Sequence, residues 1–501
     1  MKRRIFNRLM TPINSNLKLL FLTGISIVSV TVFGLTGCSK PEVDGSAATH
    51  ASSPLDRYVA VPDTSFQYEH VHTIEGDGYK AHVIRMNSQR WLTTTEVKDP
   101  LWWHWLTMIV PDSVQSRTGL LYIGGGSRKD SMPSEANSDL IKIALTTNSV
   151  VTALHNVPNQ PIEFVGDDFG PRVEDELIAY AWRQYLEAGA KESDARWLPR
   201  LPMTNAAVRA MDVITAISPE KAGKKIDSFV VAGGSKRGWT TWTTAIADKR
   251  VVAIMPIVID MLNVVPSFEH HWRAYGFWAP AVGDYVREGI MEWQHSTEYQ
   301  RLMEVVEPYS FRNRLSLPKL LINASGDQFF LPDSWRFYWD DLVGEKHVRY
   351  VPNADHSLSG SDAIETIAAF HHAIINNRPR PDFEWCGNGG KLNIIIKPGQ
   401  SPQAVTLWQA TDPNARDFRV ETIGKSWKAQ PIVLADDGHY QITVEAPKTG
   451  WKAFFVELTF PGTGEVPLKL STGIVVVPDT VPHAPYKSSA PKGTPVVISD
   501  Q

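Results

Sequence analysis

Short apolar runs alternate with helical patterns through the middle of the chain. Residues 229–232 form one such run, and residues 239–247, which follow it, have helical character. Later runs rich in apolar and β-branched residues lie at 251–259, 320–322 and 347–351. Runs of this kind are typical of buried strands, and their alternation with helices is typical of a doubly wound sheet. The pattern therefore predicts an α/β fold.

Two later regions depart from this alternation. Residues 261–315 are rich in tryptophan and glutamate, look mainly helical and are too long for a simple connection, so they predict a cap inserted over the sheet edge. At residues 388–480 strand-like runs separated by turn residues dominate, which predicts a C-terminal immunoglobulin-like β-sandwich. Residues 481–501 are rich in proline and serine and are predicted to be a disordered tail.

The start of the chain has the pattern of an export signal. A basic start and an apolar stretch precede Leu-Thr-Gly-Cys, so residues 1–37 are predicted to be a lipoprotein signal peptide and Cys38 the lipidated residue. Residues 38–57 lack hydrophobic periodicity and are predicted to be a tether. We expect a lipid anchor in the bacterial cell envelope, and Ser39 favours the outer membrane. An uncleaved anchor, or a secretory signal with a chance cysteine, is the alternative.

Charge and motif content narrow the function classes. The formal net charge is −4 over 501 residues, and no basic block follows the signal, which argues against a nucleic-acid partner. The sequence contains neither G-x-G-x-x-G nor G-K-[ST], and no H-E-x-x-H motif accompanies the adjacent pair His270 and His271. We therefore expect no cofactor and no metal ion. Besides Cys38 the chain has Cys386 alone, so no disulfide is expected.

The strongest chemical signal lies at residues 230–239, where a predicted strand enters a glycine-rich turn and a predicted helix leaves it. A serine at the tip of such a turn, here Ser235, is the nucleophile of the α/β-hydrolase fold. Gly233 stands two residues before it, but Arg237 replaces the usual glycine two residues after it, and Gly238 follows. A similar elbow occurs in glucuronoyl esterases. The alternative is a turn that binds an anion or merely closes a loop. The elbow assigns residues 58–382 to an α/β-hydrolase domain.

A serine nucleophile needs a base and an acid that orients the base. In this fold the chain order is serine, acid, histidine. Asp327 comes just after the apolar run at 320–322, and His356 follows the run at 347–351. All three residues are therefore predicted to lie at the carboxyl ends of strands, where such sheets build their sites. Asp333 is the alternative acid.

Acyl transfer also needs donors for the developing oxyanion. The backbone N–H of Lys236, the residue after the nucleophile, is one candidate. The loop at residues 124–126 supplies the second, through Gly125 and Gly126. The triple glycine could instead be only a flexible turn.

Three charged residues are candidates for substrate binding. Arg237, with its neighbour Lys236, either draws an anionic substrate group towards the nucleophile or is simply solvated. Glu174 and Glu176 open a helical pattern, and acidic residues near a helix N-terminus are the ordinary explanation. The alternative is that one of them binds a substrate amino group, as paired acids do in dipeptidyl peptidases.

The chain resembles the PhoPQ-activated pathogenicity-related protein family, which includes proteins similar to autocrine proliferation repressors. The resemblance extends over most of the chain after the signal, and its most specific segment is the Ser-Lys-Arg-Gly-Trp elbow. The segments that carry it lie at 174–180, 201–204, 210–212, 233–239, 255–260 and 324–327. The resemblance implies an α/β-hydrolase with a C-terminal β-domain, in a secreted or envelope protein linked to virulence-type regulation.

Three functions are compatible with this sequence. The first is a serine peptidase that acts on short peptides in the envelope. The second is an esterase that acts on carbohydrate or lipid esters. The third is a non-catalytic, virulence-related binding protein built on a hydrolase scaffold.

Overall fold

The computed structural model of the protein describes residues 52–496. The predicted signal peptide, the lipidation site Cys38 and most of the predicted tether lie outside these residues. Within residues 52–496, no helix combines the length and the apolar character needed to cross a membrane.

The central sheet is mixed. Its first nine strands are β1 (Gln67–Gly76), β2 (Tyr79–Arg90), β3 (Leu101–Pro111), β4 (Thr118–Ile123), β5 (Val151–Leu154), β6 (Ser228–Gly234), β7 (Val251–Ile257), β8 (Lys319–Ala324) and β9 (Lys346–Val351). They lie side by side in the order β1-β2-β3-β5-β4-β6-β7-β8-β9. Neighbours are parallel from β5 to β9 and antiparallel from β1 to β5. The carboxyl ends of six parallel strands, β4 to β9, therefore meet at one edge.

Helices cover both faces of this sheet. The helices of the described chain are α1 (Pro54–Ala60), α2 (Ser138–Thr147), α3 (Glu174–Glu187), α4 (Arg200–Lys221), α5 (Lys236–Ala247), α6 (Val264–Tyr275), α7 (Gly283–Arg287), α8 (Thr297–Val306), α9 (Ala363–Ile375) and α10 (Val420–Ile423). Successive side chains of β6 enter different apolar clusters, because a strand points alternate side chains to opposite faces. Val231 belongs to the cluster that includes α3, α4 and α5, whereas Val230 and Ala232 belong to that of α2 and α9. The sheet is therefore doubly wound, as the sequence predicts.

The segment between β7 and β8, where the sequence predicts a helical cap, contains α6, α7 and α8. Short 3-10 helices at Pro280–Val282, Ile290–Trp293 and Pro308–Arg314 connect them. These elements bury apolar side chains together with α3 and α5. The segment therefore packs against the helices beside the carboxyl end of β6.

The C-terminal strands differ from a free-standing sandwich. They are β10 (Phe383–Asn388), β11 (Lys391–Ile396), β12 (Ala404–Asp412), β13 (Lys428–Ile432), β14 (His439–Thr443), β15 (Trp451–Thr463), β16 (Val466–Ser471) and β17 (Val475–Val477). Only β10, β11 and β14 form a separate small sheet, whereas the other five extend the central sheet beyond β9. The extension begins where Ser471 of β16 pairs with Val348 of β9, and β16 thereby covers an edge that would otherwise be open. The described residues belong to one compact unit.

The chain after residue 481, which the sequence predicts to be disordered, instead runs along the cap as far as residue 496. The ring of Tyr486 contacts those of Trp272 and Trp278, at centroid distances of 4.7 and 5.0 Å. Its hydroxyl donates to the carboxylate of Glu292 at 2.9 Å. This aromatic contact, together with hydrogen bonds such as that from the amide of Thr494 to Glu298, joins the proline-rich segment to the cap.

Candidate active site

Ser235 occupies the turn between β6 and α5 with φ 58° and ψ −127°, a conformation that non-glycine residues rarely adopt. The flanking glycines show why the strand and the helix can cross here. A Cβ atom on Gly233 would lie 2.8 Å from the carbonyl oxygen of Arg237, and one on Gly238 would lie 2.8 Å from that of Gly233. Gly238, three residues after the serine, therefore permits the close crossing for which the usual elbow has a glycine one position earlier.

Asp327 and His356 form the other half of the site. They follow β8 and β9, and Nδ1 of His356 lies 2.8 Å from Oδ2 of the nearly buried Asp327. At this distance the imidazole N–H donates to the carboxylate. The amide of His356 donates to Oε1 of Gln328 at 2.9 Å, and the ring of Phe329 lies 4.3 Å from the imidazole ring. These contacts fix the orientation of the imidazole.

The remaining ring nitrogen of His356 is buried and unused. Nε2 has no hydrogen-bond partner among the residues that the structure describes, so it makes no hydrogen bond to Ser235 in this conformation. The two residues nevertheless lie at the same edge, since β6 and β9 belong to one run of parallel strands. The sheet thus brings Ser235, Asp327 and His356 to one edge, and Asp327 already contacts the imidazole.

Asp333, the alternative acid, has other partners. Its carboxylate accepts hydrogen bonds from Arg416 at 2.5 Å and lies 3.1 Å from Nε2 of His270. Burial opposes ionisation, but the charges of Arg416 and His270 more than reverse this and hold the pKa of Asp333 well below its usual range. Asp333 therefore joins the C-terminal region to the cap, and the acid that contacts His356 is Asp327.

The predicted oxyanion donors follow two adjacent strands, β4 and β6. Lys236 is the first residue of α5, where backbone N–H groups have no partner within the helix. Ile123 at the end of β4 pairs with Gly233 of β6, so the loop at 124–126 starts beside the serine turn. Within residues 52–496, the amides of Gly125 and Gly126 donate no hydrogen bond. These N–H groups are available to an oxyanion.

A cluster of ion pairs surrounds the two residues after the nucleophile. Nζ of Lys236 lies 2.8 Å from Oε2 of Glu174 and 3.1 Å from Oδ2 of Asp175, and the guanidinium of Arg237 pairs with Oε1 of Glu174. Burial raises the pKa of the Glu174 carboxyl, but the charges of Lys236 and Arg237 more than reverse this and lower it to about 2. The carboxylate of Glu174 is therefore ionised and occupied.

The same cluster reaches the glycine loop. Nε2 of Gln160 donates to the carbonyl oxygen of Gly126 at 3.0 Å and to Oε1 of Glu174 at 2.6 Å, while Nε of Arg237 donates to the carbonyl oxygen of Val157 at 2.5 Å. Glu174 itself has φ 49°, an unusual backbone conformation for glutamate. The Glu174 cluster, namely Glu174, Gln160, Lys236 and Arg237, thus joins the serine turn to the loop at 124–126.

Glu174, Glu176 and Arg237, the charged residues that the sequence offers for substrate binding, contact other residues of the protein instead. Glu174 and Arg237 bind each other, so neither presents a free charge to a ligand. Glu176 accepts a hydrogen bond from the amide of Val173 at 3.4 Å and lies 3.5 Å from Arg287, which makes it part of the N-terminal cap of α3. The ordinary explanation, acidic residues at a helix N-terminus, describes Glu176 well.

A cavity opens beside Ser235 beneath the cap. It spans about 580 Å³, a volume that includes open solvent at its mouth, and contains the ion pair of Asp175 and Lys236. The hydroxyl of Tyr285 donates to Asp175 at 3.0 Å. The rest of the lining is almost entirely apolar and aromatic: Trp182, Trp239, Ile259, Met261, Val264, Phe268, Val282, Ile290, Met291, Tyr299, Phe329 and Phe330. Sequence reasoning missed this lining because its members come from several distant elements and share no local motif.

Metal-binding side chains do not gather at this edge. Among residues 52–496, no group of three or more histidine, cysteine, aspartate or glutamate side chains could hold a metal ion.

A serine on a strained strand-to-helix turn, followed along the chain by an acid and a histidine at the ends of later parallel strands, defines the α/β-hydrolase fold. Solved structures similar to this chain include the acetyl xylan esterase from Paenibacillus sp. R4, with a TM-score of 0.45 and 16% identity over 67% of this chain and 97% of that one. Acetyl Xylan Esterase 1 from Thermoanaerobacterium sp. JW/SL YS485 gives a TM-score of 0.41 and 13% identity, over 60% of this chain and 87% of that one.

Sequence comparison identifies the family. The sequence model of the PhoPQ-activated pathogenicity-related protein matches residues 55–419. Autocrine proliferation repressor protein A of Dictyostelium discoideum is 37% identical over 459 residues, which cover 86% of this chain and 92% of that protein. The chain belongs to the PhoPQ-activated pathogenicity-related protein family, as the elbow and its companion segments predict.

Proposed function

We propose that this protein is a serine hydrolase in which Ser235 is the nucleophile, His356 the general base and Asp327 the acid that orients it. The observation that carries the proposal is the hydrogen bond between Asp327 and His356, which leaves Nε2 of the imidazole without a partner. An imidazole held in this tautomer accepts a proton at Nε2. Ser235 stands at the same edge of the sheet in the strained turn typical of a nucleophile.

The mechanism follows from these roles. Oγ of Ser235 attacks the substrate carbonyl while Nε2 of His356 takes its proton, and the negative charge moves to the carbonyl oxygen. The amides of Lys236 and of Gly125 or Gly126 stabilise that oxyanion. His356 then protonates the leaving group, and a water molecule, activated by the same imidazole, hydrolyses the acyl-enzyme. We propose that a rotation of the Ser235 side chain closes the hydrogen bond that this conformation lacks, because the contacts of His356 hold the imidazole in place.

A fluorophosphonate probe tests the proposal, because it reacts with activated serines. We expect it to label the wild-type protein at Ser235 and to leave the S235A variant unlabelled. S359A is the matched control, since Ser359 is an exposed hydroxyl three residues beyond His356, and it should be labelled as the wild type is. A folded wild-type protein that remains unlabelled would contradict the proposal and favour the binding-protein alternative.

Short peptides are the substrates that we propose first. The cap roofs the cavity beside Ser235, so long or folded chains cannot enter it as easily as short ones. Lipid esters are the second candidate, which the apolar lining favours. A panel of dipeptide amides and acyl esters separates the two, because a peptidase cleaves the amides and a pure esterase does not.

For the cellular location, we propose a lipid anchor at Cys38 in the bacterial envelope. The Leu-Thr-Gly-Cys sequence after a basic and apolar start supports it. A tagged fatty acid should label the wild-type protein and not the C38S variant, whereas an unlabelled wild-type protein would contradict the lipoprotein assignment.

A further inference from the structure

The cavity beneath the cap has a wall with few polar groups, and most of these are already paired, although the buried Nε1 of Trp239 has no partner among the described residues. Asp175 and Lys236 form an ion pair, and the Tyr285 hydroxyl donates to Asp175. The remaining lining, apart from Ser235 itself, is aromatic or aliphatic. A charged or hydroxyl-rich group placed there would lose its water and gain few partners, which is costly in a buried site.

The cavity is built by both the catalytic sheet and the cap. Ser235 and Lys236 belong to the serine turn, whereas Val282 and Met291 belong to the cap. Val282 and Met291 are both almost fully buried, so these side chains hold fixed positions in a packed wall. A group that enters the cavity is therefore close to the bond that Ser235 attacks.

The enclosure also indicates which part of the substrate it holds. The acyl group stays bonded to Ser235 until water attacks, and a pocket covered by the cap can retain it throughout. The leaving group must depart first, and a roofed pocket would hinder that departure.

We propose that the substrate carries a bulky apolar group, an aliphatic chain or an aromatic side chain, on the acyl side of the scissile bond, and that this group occupies the cavity beneath the cap. This inference rests on the proposed serine hydrolase function. Sugars are then excluded from the cavity, and a carbohydrate, if present in the substrate, lies on the leaving-group side.

p-Nitrophenyl acetate, butyrate and hexanoate share one leaving group and test the inference directly. Each buried methylene should raise kcat/KM about threefold to fourfold, the factor that its transfer from water corresponds to. The hexanoate, which is four methylenes longer, should therefore be cleaved about 80- to 250-fold more efficiently than the acetate.

Two variants of the cap locate the effect. V282F fills the cavity and should lower the ratio of kcat/KM for hexanoate to that for acetate until little of the gain remains, because the new ring occupies the space that the longer acyl chain needs. V286F is the matched control: Val286 lies four residues further along the same segment but is exposed and outside the lining. Its chain-length profile should equal that of the wild type. M291A enlarges the cavity and should move the preference to longer chains.

The outcomes separate the two proposals. If the wild-type protein is folded but neither binds fluorophosphonate nor cleaves any ester, the serine hydrolase proposal fails, and this inference fails with it. If fluorophosphonate labels Ser235 but the chain-length profile is flat, or if V282F keeps the full preference for hexanoate, the hydrolase proposal stands and the apolar acyl-side assignment is overturned.

Discussion

The two sides of Ser235 differ in almost every physical respect. On one side the Glu174 cluster joins four charged or polar side chains and the glycine loop through short hydrogen bonds and ion pairs. On the other side lies the cavity, whose wall is apolar apart from one internally paired set of charges. Directional contacts fix positions, whereas apolar contacts provide volume without direction. We therefore propose that the charged side fixes the geometry of the serine turn and that the apolar side selects the substrate.

The largest effect should come from Asp327, the proposed acid that orients His356. Turnover requires His356 as the base, whatever the two sides of Ser235 contribute. D327N removes the charge that holds the tautomer of His356, and we expect kcat to fall by about 10³- to 10⁴-fold, the scale on which triads lose activity when this carboxylate is neutralised. Steady-state kinetics on an activated ester measure it.

D333N is the control for that variant, because Asp333 is an equally buried aspartate six residues away. It leaves Arg416 with a weaker partner, so it should lower the melting temperature while the remaining folded protein keeps a nearly normal kcat. If D333N abolishes turnover and D327N does not, the roles of the two acids are reversed.

The charged side predicts the next largest effect. E174A leaves Lys236 and Arg237 without their shared partner and frees Gln160, which loosens the serine turn against the glycine loop. We expect kcat to fall by about 10- to 100-fold, the loss of part of one oxyanion interaction, with KM nearly unchanged. A rise in KM with normal kcat would instead indicate that Glu174 binds substrate.

E176Q is the matched control on the same helical turn, and it should keep normal kinetics because Glu176 caps α3.

Although burial opposes ionisation, Lys236 and Arg237 lower the pKa of Glu174 to about 2. Its ionised form, and the stability it contributes, is therefore fully present above the ordinary pKa of 4.5 and is lost only as the pH falls towards 2. The ratio of wild-type to E174Q activity should accordingly stay constant from about pH 5 to pH 9.

The smallest effect should come from the contact that holds the cap over the apolar cavity. Y486A removes the ring that packs on Trp272 and Trp278, so we expect faster amide hydrogen exchange in α6 and in Ile290–Trp293, with kcat/KM for acetate changed less than about threefold. Hydrogen-exchange mass spectrometry measures this. Unchanged exchange in both segments would show that the chain after residue 481 does not hold the cap.

These two sides were not equally predictable from sequence. Ser235, Asp327 and His356 each follow a short apolar run, and the order of the three residues along the chain is itself a signal. The Glu174 cluster carries no such signal, because Glu174 and Arg237 are 63 residues apart and their pairing depends on how α3 packs beside α5. A helix-opening glutamate looks the same in sequence whether it caps the helix, as Glu176 does, or binds a distant arginine.

The C-terminal strands illustrate the same limit at the level of the fold. Alternating strand and turn patterns predict strands there, and strands are present. Nothing local to β16 indicates that it pairs with β9, because strand pairing depends on contacts between distant segments. The predicted sandwich is therefore only partly matched, by the small sheet of β10, β11 and β14.

A crystal structure of the protein after reaction with a small fluorophosphonate tests the central claim most directly, because the adduct imitates the tetrahedral intermediate on Oγ of Ser235. We predict Nε2 of His356 at about 3 Å from an oxygen of the adduct, with Nδ1 still bonded to Asp327. The amides of Lys236 and of the glycine loop should point at the phosphoryl oxygen. An adduct on Ser235 with His356 turned away and a different group at hydrogen-bond distance would contradict the assignment of His356 as the base.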